Sequence, residues 1–144
     1  MLSAGNKKFN SFLDNYEGDL KDKLSLIFKA KNGLNSKYIP LVLKYYNFKK
    51  DFIAGMLDLS TKTLDRYTKE NRKLNPNDSE IIIKLILLYK KGLEVFGEQP
   101  AFVNWLNKPA FGLGNLKPVE IVNTSGGIDL IIEELSRIET GDLS

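Results

Sequence analysis

The longest apolar run of the chain constrains its fold most, because the apolar residues in and around it recur with the period of a helix. The run lies at 81–88 and reads IIIKLILL, within a helical pattern that we predict to extend from Ser79 to Phe96. Gly97 follows and is expected to end this helix as its C-cap. One side of the helix carries a wide apolar stripe, formed by Ile82, Leu85, Ile86, Tyr89, Leu93 and Phe96. A helix with such a stripe has to pack against other helices.

Shorter helical patterns fill most of the remaining chain, and no segment shows the alternation of a convincing strand. The first pattern begins at Leu20, where Asp19 is a candidate N-cap, and it stops at Gly33. Its apolar residues recur at helical spacing, and they are Leu20, Leu24, Ile27 and Phe28. The other predicted helices cover approximately 36–46, 49–57, 61–69, 100–107, 118–122 and 127–138. The sequence therefore predicts an all-α fold.

The chain of 144 residues contains neither cysteine nor histidine. The lack of cysteine excludes disulfides and thiol chemistry, and the lack of histidine removes the commonest general base and metal ligand. We therefore expect no enzymatic activity, no metal and no cofactor. No apolar run approaches the roughly 18 residues of a membrane span, and the N-terminus MLSAGNKKFN lacks the apolar core of a signal peptide. These features predict a cytoplasmic protein.

The charge of the chain is distributed unevenly. Residues 1–50 carry a net charge of +6, residues 51–97 a net charge of +1, and residues 98–144 a net charge of −4. A basic front and an acidic end indicate two surfaces with different partners. The alternative is scatter of charges on a solvated surface.

Residues 52–70, FIAGMLDLSTKTLDRYTKE, have the spacing of a helix-turn-helix motif, in which two helices cross around a tight turn. Ala54 is the small residue expected where the second helix crosses the first. The apolar contact positions are filled by Ile53, Leu57, Leu59, Leu64 and Tyr67. Asp58 stands at the turn position that is most often glycine, and Asp tolerates the left-handed conformation better than most residues. The alternative is an ordinary pair of core helices joined by a short turn.

The second helix of this motif carries the side chains that would meet DNA. Ser60 or Thr61 is expected to cap it, and its N-terminus favours a phosphate group. The candidate DNA-binding residues are Ser60, Thr61, Lys62, Thr63, Arg66, Lys69, Arg72 and Lys73. Asp65 and Glu70 add negative charge to the second helix, and they would repel phosphate if they faced the groove.

The C-terminal third of the chain carries a distinctive series of aromatic, glycine and proline residues. Residues 94–141 read EVFGEQPAFVNWLNKPAFGLGNLKPVEIVNTSGGIDLIIEELSRIETG. This segment resembles the C-terminal signature of the Xre/MbcA/ParS-type antitoxins, the partners of RES-domain toxins. The residues that fall on the signature are Glu94, Val95, Phe96, Gly97, Trp105, Leu106, Gly114, Pro118, Thr124, Gly127, Leu135, Arg137, Ile138 and Gly141. Asn115 replaces the second glycine of the signature and Lys117 its usual threonine. With the upstream helix-turn-helix and its following loop, the resemblance covers about residues 45–141.

The resemblance implies an Xre-like helix-turn-helix bundle followed by a small helical toxin-binding module. We expect an N-terminal extension at 1–35, a DNA-binding and dimerisation domain at 36–97, and a toxin-binding domain at 98–144. Such antitoxins cover the active site of an NAD-degrading RES-domain toxin, and as homodimers they repress their own operon by binding its promoter DNA. The toxin-binding residues expected on this basis are Asn115, Lys117, Glu133, Arg137, Glu139, Gly141 and Asp142. An acidic end of the chain can fill a basic nucleotide pocket by mimicking phosphate charge.

Two other functions are weighed against this hypothesis. The first is a stand-alone helix-turn-helix transcription regulator whose C-terminal module only dimerises. The second is an enzyme or a small-molecule binder. Glu133 and Glu134 do not support it, because adjacent residues on a helix diverge by about 100° and form no carboxylate dyad. The glycine-rich turn at 112–115 lacks the spacing of a phosphate-binding loop and indicates a packing turn.

Overall fold

A computed structural model describes residues 7–141, which form eight α-helices. The helices are α1 (Lys7–Asp14), α2 (Leu20–Asn32), α3 (Ile39–Tyr46), α4 (Lys50–Met56), α5 (Thr61–Lys69), α6 (Pro76–Phe96), α7 (Gln99–Leu106) and α8 (Ser125–Glu139). Short 3₁₀ turns lie at Ser36–Tyr38, Phe111–Leu113 and Pro118–Glu120. The described residues contain two isolated bridges and no β-strand. The predicted all-α class is therefore confirmed.

Helix α6 is the centre of the packing, and it contacts α2, α3, α7 and α8. Its fully buried side chains include Ile82, Ile83, Leu85, Ile86 and Leu88. Burying a side chain of this kind contributes about 1.5–3 kcal/mol. The buried apolar residues form one cluster that reaches from Phe9 in α1 to Leu135 in α8. A single helix therefore holds the two ends of the described chain on a common core.

Gly92 allows α7 to approach α6 closely. A methyl group at position 92 would lie 2.4 Å from the ring of Phe102, which is fully buried. The Phe102 ring lies 6.0 Å from the Tyr89 ring and 6.3 Å from the Phe96 ring, measured between centroids. Glycine within a helix costs roughly 0.5–1 kcal/mol relative to alanine. Here that cost is offset by the aromatic contact that the missing side chain permits.

The start of α6 differs from the predicted one. The helix begins at Pro76, and the side chain of Asn75 accepts a hydrogen bond from the backbone N–H of Asp78 at 2.8 Å. Asn75 is therefore the N-cap, and the predicted start at Ser79 was three residues too late. Ser79 is buried, and its hydroxyl accepts from the Leu34 N–H at 2.8 Å. Proline in the first turn has no N–H to leave unpaired, which suits this start.

Helix α2 lies where its spacing predicts it, but the apolar residues on which that prediction rested do not face the core. Asp19 caps the helix by accepting from the Asp22 N–H, and Gly33 ends it with a φ of 85°. The residues that α2 buries are Leu26 and Ala30. Four large apolar side chains of the same helix are exposed, and they are Leu20, Leu24, Ile27 and Phe28.

Helix α1 was not predicted, and long-range contacts explain its position. Lys90 of α6 donates hydrogen bonds from Nζ to the carbonyl groups of Leu13 and Asp14, each at 2.9 Å. A cation at the C-terminal end of a helix is favourable because the last carbonyl groups lack partners there. The ring of Phe9 packs against Tyr38 with centroids 4.9 Å apart. These contacts join the first helix to the core.

Candidate functional site

The turn between α4 and α5 has the hydrogen bonds of a Schellman motif. The Leu59 N–H donates to the Ala54 carbonyl at 2.9 Å, and the Asp58 N–H donates to the Gly55 carbonyl at 3.3 Å. Asp58 has a φ of 54°, the left-handed conformation expected at this position. Ala54 is buried, as expected for the small residue of the first helix. This turn fixes the direction in which α5 leaves α4.

The N-terminus of α5 is capped by Ser60. Its side chain accepts from the Thr63 N–H at 3.0 Å and donates to the Thr63 hydroxyl at 2.9 Å. The side chains of Ser60 and Thr63 thus stabilise the first turn of the helix, which was predicted at 61–69 with these bounds. Leu64 is 1% exposed and anchors the helix to the core.

The outer side of α5 carries a basic stripe, which we define as Lys62, Arg66 and Lys69. These residues follow one another at intervals of four and three positions, so they share one side of the helix. All three are exposed. Asp65 borders the stripe, and its carboxylate pairs with Lys50 of α4 at 2.9 Å. That ion pair offsets the negative charge next to the stripe.

The segment after α5 is tied to the end of α2 through the backbone. The Ser36 N–H donates to the Arg72 carbonyl at 2.7 Å, and the Leu74 N–H donates to the Leu34 carbonyl at 2.8 Å. The side chains of Arg72 and Lys73 stay exposed. Arg72 also pairs with Glu70 at 3.5 Å, so the second acidic residue of this region is partnered as well. These backbone bonds fix the position of Arg72 and Lys73, whose basic side chains lie just beyond the end of α5.

A second polar site lies where the turn at 110–116 meets α8. The side chain of Glu134 is largely buried, and its Oε1 accepts from the Nε and Nη2 of Arg137, each at 2.9 Å. A methyl group at Gly112 would lie 2.0 Å from that oxygen, so the glycine backbone rests directly on the carboxylate. Burying a carboxylate is costly without such a partner. Arg137 therefore neutralises the buried carboxylate of Glu134. Glu134 in turn packs against the backbone of the turn at Gly112.

The other predicted toxin-binding residues surround this pair or continue along α8. Asn115 is exposed with a φ of 64°, and Gly141 has a φ of 78°. The exposed residues further include Lys117, Glu133 and Glu139. Glu139 pairs with Lys91 of α6 at 2.5 Å. Asp142 lies outside the described residues.

Three exposed apolar side chains of the C-terminal region were not predicted as site residues. They are Phe111, Leu116 and Leu130. Phe111 is 76% exposed, the largest exposed fraction among the large apolar residues that the structure describes. Phe111 precedes Gly112, and Leu130 lies one turn before Glu134 on the same side of α8, so both border the Glu134–Arg137 pair. The pattern of α8 contained a signal for Leu130, because it falls outside the stripe that includes Ile128, Ile131 and Leu135.

Lys84 joins α6 to the start of α8. Its Nζ donates to the Ser125 hydroxyl at 2.7 Å and to the Asp129 carboxylate at 2.9 Å. Ser125 in turn donates to the Glu80 carboxylate, which also pairs with Lys84. The hydrogen bond from Ser125, followed by the nearby charge of Lys84, lowers the pKa of Glu80 from its ordinary value of 4.5.

The lowered pKa of Glu80 predicts a pH-dependent contribution to stability. The ionised form is favoured by folding, so this contribution is present above pH 4.5 and is lost as the pH falls through the lower pKa of the folded state. We expect Ser125→Ala to raise the pKa of Glu80 and to reduce the loss of unfolding free energy between pH 7 and about pH 3. Carbon NMR titration of the carboxyl group, with denaturant unfolding at both pH values, measures this. Ser136→Ala on the same helix is the control, and an equal effect of both variants would contradict the assignment.

Neither a metal centre nor a membrane span is found among residues 7–141. No group of acidic side chains there could hold a metal ion, and no helix is long and apolar enough to cross a membrane. A groove of about 580 Å³ lies between α2, α6 and α8, with Tyr16, Lys23 and Asp129 in its lining. The groove borders the Lys84 network described above.

Comparisons with known proteins address the C-terminal site directly. Residues 91–141 match the model of the antitoxin Xre/MbcA/ParS C-terminal toxin-binding domain. The predicted resemblance to the Xre/MbcA/ParS-type antitoxins is therefore confirmed. The match to this family's toxin-binding domain begins in the last turns of α6 and ends just after α8, so it contains α7, the glycine-rich turn at 112–115 and α8. Of the predicted toxin-binding residues, only Asp142 lies beyond it.

Three antitoxin relatives are similar over most of the chain. A Prs ADP-ribosylating antitoxin of Sphingobium sp. (strain YBL2) is 23% identical, over 88% of this chain and 83% of its own length. An Antitoxin Xre of Yersinia enterocolitica is 22% identical, over 83% of this chain and 81% of its own length. An Antitoxin Xre of Photorhabdus laumondii is 21% identical, over 78% of this chain and 76% of its own length. The likeness to antitoxins therefore extends well beyond the matched domain.

Proposed function

We propose that this antitoxin neutralises a RES-domain toxin that consumes NAD, and that it represses its own operon by binding DNA as a transcription repressor. The observation that carries the proposal is the match of residues 91–141 to a toxin-binding domain. The chain itself acts by binding and is not an enzyme. We assign toxin binding to residues 98–144 and DNA binding to residues 36–97.

The surface proposed to meet the toxin is the one around the Glu134–Arg137 pair. Phe111 and Leu130 supply exposed apolar area there, while Asn115, Lys117 and Glu133 supply polar groups. Interfaces commonly combine an apolar centre with a polar rim. Residues 98–144 carry a net charge of −4, which suits the basic pocket that a toxin needs for the phosphates of NAD.

Two related reactions are candidates for the chemistry of the toxin. The resemblance implies a toxin that degrades NAD, whereas the Sphingobium relative is named for ADP-ribosylation. Both reactions break the bond between nicotinamide and ribose, and they differ in whether water or a protein side chain receives the ADP-ribose. Measuring NAD loss and protein ADP-ribosylation in cells that express the adjacent gene product distinguishes them.

The toxin-binding surface can be tested without removing α8. A truncation after Asn123 would take away the buried residues Ile128, Ile131 and Leu135, so it would damage the core. The double variant Phe111→Ser/Leu130→Ser changes exposed side chains only. We expect it to weaken binding of the adjacent gene product roughly 100-fold, the effect of losing interface anchors, and to restore NAD loss on co-expression.

The matched control for this test is Phe28→Ser, which replaces an equally large exposed side chain on α2. It should leave toxin binding and neutralisation unchanged. Full neutralisation by the Phe111/Leu130 variant would contradict the proposed surface. An adjacent protein with no effect on NAD or on ADP-ribosylation would contradict the proposed toxin class.

DNA binding is proposed from the α4–α5 pair and the basic stripe. The Schellman turn with Asp58 in the left-handed conformation and the Ser60 cap are compatible with a helix-turn-helix motif. The exposed stripe offers cations for phosphate contacts, and release of counterions gives such contacts their affinity. A stand-alone regulator would share this surface, so the presence of a toxin gene beside this one separates the two functions.

A further inference from the structure

The longest stretch of the sequence without an acidic residue is rich in lysine. Residues 23–50 contain seven lysines and neither aspartate nor glutamate. Two of these lysines, Lys31 and Lys37, lie where α2 leads into α3, and we define residues 31–37 as the α2–α3 junction. Both side chains are exposed, and neither forms an ion pair within residues 7–141. The junction therefore presents cations that no acidic group of the described chain neutralises.

The junction is fixed to α5 by a buried hydroxyl group. Ser36 is fully buried, and its hydroxyl donates to the Tyr67 carbonyl of α5 at 2.6 Å. This bond adds to the backbone bonds between residues 34–36 and 72–74 described above. The Lys37 N–H donates to the side chain of Asn35 at 2.8 Å. Lys37 is thus held at a definite place near the end of α5.

Gly33 brings the junction into contact with the segment that follows α5. A methyl group at this position would lie 2.9 Å from the Leu74 carbonyl oxygen and 3.2 Å from the Cβ of Lys73. The φ of Gly33 is 85°, a positive value that glycine adopts without strain. Lys31 is only two positions away along the chain. The close approach at the glycine therefore places Lys31 and Lys73 on adjacent segments.

Tyr67 connects these segments to the basic stripe of α5. The guanidinium group of Arg66 lies 5.7 Å from the centroid of the Tyr67 ring, and that of Arg72 lies 4.9 Å from it. A cation is attracted to the face of an aromatic ring, so the ring restrains both arginines. Basic residues therefore continue from the stripe through Arg72 and Lys73 to the α2–α3 junction.

The position of the junction relative to α5 determines which part of a DNA duplex it would meet. In a helix-turn-helix motif, the N-terminal residues of the second helix contact the base edges. The distance from Lys62 to Lys69 along the axis of α5 is about 10 Å, given 1.5 Å per residue, and the major groove is about 12 Å wide. The junction lies beyond the C-terminal end of this helix. Its cations are therefore placed to meet the phosphates that border the groove.

We propose that the α2–α3 junction binds the phosphate backbone of DNA through Lys31 and Lys37, next to the contacts of Arg72 and Lys73. The inference rests on the proposed DNA binding, and it gives a role to a part of the chain outside the helix-turn-helix motif. Lysine suits such a contact, because its ammonium group binds phosphate as a point charge whatever the base sequence. The junction adds affinity for DNA without adding sequence preference.

The test is fluorescence anisotropy of the full chain with two duplexes at several salt concentrations. One duplex comes from upstream of the gene, and the other is scrambled with the same length and composition. We expect Lys31→Ala/Lys37→Ala to weaken binding to both duplexes roughly 20-fold at low salt. The magnitude of the slope of log K against log salt concentration should fall by up to about two. The ratio of the two affinities should stay the same, because phosphate contacts carry no sequence information.

Two further variants separate a phosphate contact from other effects. Lys21→Ala/Lys23→Ala removes the same charge from the other end of α2, about 12 Å or more from Lys31 along the helix axis. Since salt screens charges at such a distance, this control should change the affinity by no more than about twofold. Lys31→Arg/Lys37→Arg keeps both charges and should retain the native affinity. All four positions are exposed, and circular dichroism of each variant establishes that the helices are retained.

Several results would overturn the proposal. They are native affinity and native salt slope in Lys31→Ala/Lys37→Ala, an equal loss in the Lys21/Lys23 control, failure of the arginine variant to bind, and a changed ratio of affinities for the two duplexes. If the native chain binds the upstream duplex and only variants of α5 weaken it, this inference fails while the proposed DNA binding stands. If the native chain binds neither duplex, both fail.

Discussion

Replacing Gly127 with alanine is expected to destabilise the protein by about 3 kcal/mol, at the upper end of overpacking costs. A methyl group at this position would lie 1.7 Å from the carbonyl oxygen of Ile121, and that oxygen belongs to the backbone. It would also lie 2.9 Å from the Thr124 hydroxyl, which caps α8 by accepting from the Gly127 N–H. Neither atom can move without disturbing the start of α8. Thermal unfolding should show a decrease in midpoint of roughly 10 °C.

Gly126→Ala provides a matched control for this prediction. Position 126 is in the same first turn of α8, and a methyl group there has no atom within 4 Å. Alanine favours the helix over glycine by about 1 kcal/mol, so this variant should be as stable as the native chain or more so. Equal midpoints for the two variants would contradict the close approach of α8 to Ile121.

Removing the basic stripe of α5 is expected to abolish most binding to promoter DNA. The triple variant Lys62→Ala/Arg66→Ala/Lys69→Ala takes away three exposed cations and leaves the buried Leu64 in place. Each lost phosphate contact lowers the magnitude of the slope of log K against log salt concentration by about one. For three contacts that slope should therefore fall by up to about three. At low salt we expect a loss of affinity on the order of 100-fold. Fluorescence anisotropy with a duplex from upstream of the gene, at several salt concentrations, measures both quantities.

Three exposed lysines on other elements provide a control of equal charge. The variant Lys7→Ala/Lys44→Ala/Lys108→Ala also removes three positive charges and leaves α5 untouched. If binding depends on net charge alone, the two triple variants will weaken it equally, and the helix-turn-helix proposal fails. If the stripe contacts DNA, only the α5 variant loses its affinity.

Features that depend on nearby residues could be predicted from the sequence. The bounds of α5 follow from the Ser60 cap and the helical period, and the left-handed Asp58 follows from its place in the turn. Gly97 ends α6 with a φ of 84°, as its position after the apolar stripe indicates. In each case the physical cause lies within about one helical turn of the residue.

Features that depend on distant partners could not be predicted. The apolar spacing of α2 identified a helix, but it could not show that Leu26 and Ala30 pack while Phe28 stays exposed, because α6 decides which side is covered. The burial of Glu134 was also missed. Its burial results from contact with Gly112, and no local pattern announces an approach between residues 22 positions apart.

The central position of α6 has a consequence for how this protein would be degraded by proteases in a cell. Helices near both ends of the described range 7–141 pack on its hydrophobic surface, so a protease that pulls on the chain from either end would unfold one cooperative unit. The proposed DNA binding and the proposed toxin binding would then be lost together, in a single event. A fragment limited to 98–144 would lack α6, against which the buried side of α8 packs. A transfer of the proposed toxin-binding module to another protein therefore has to include α6.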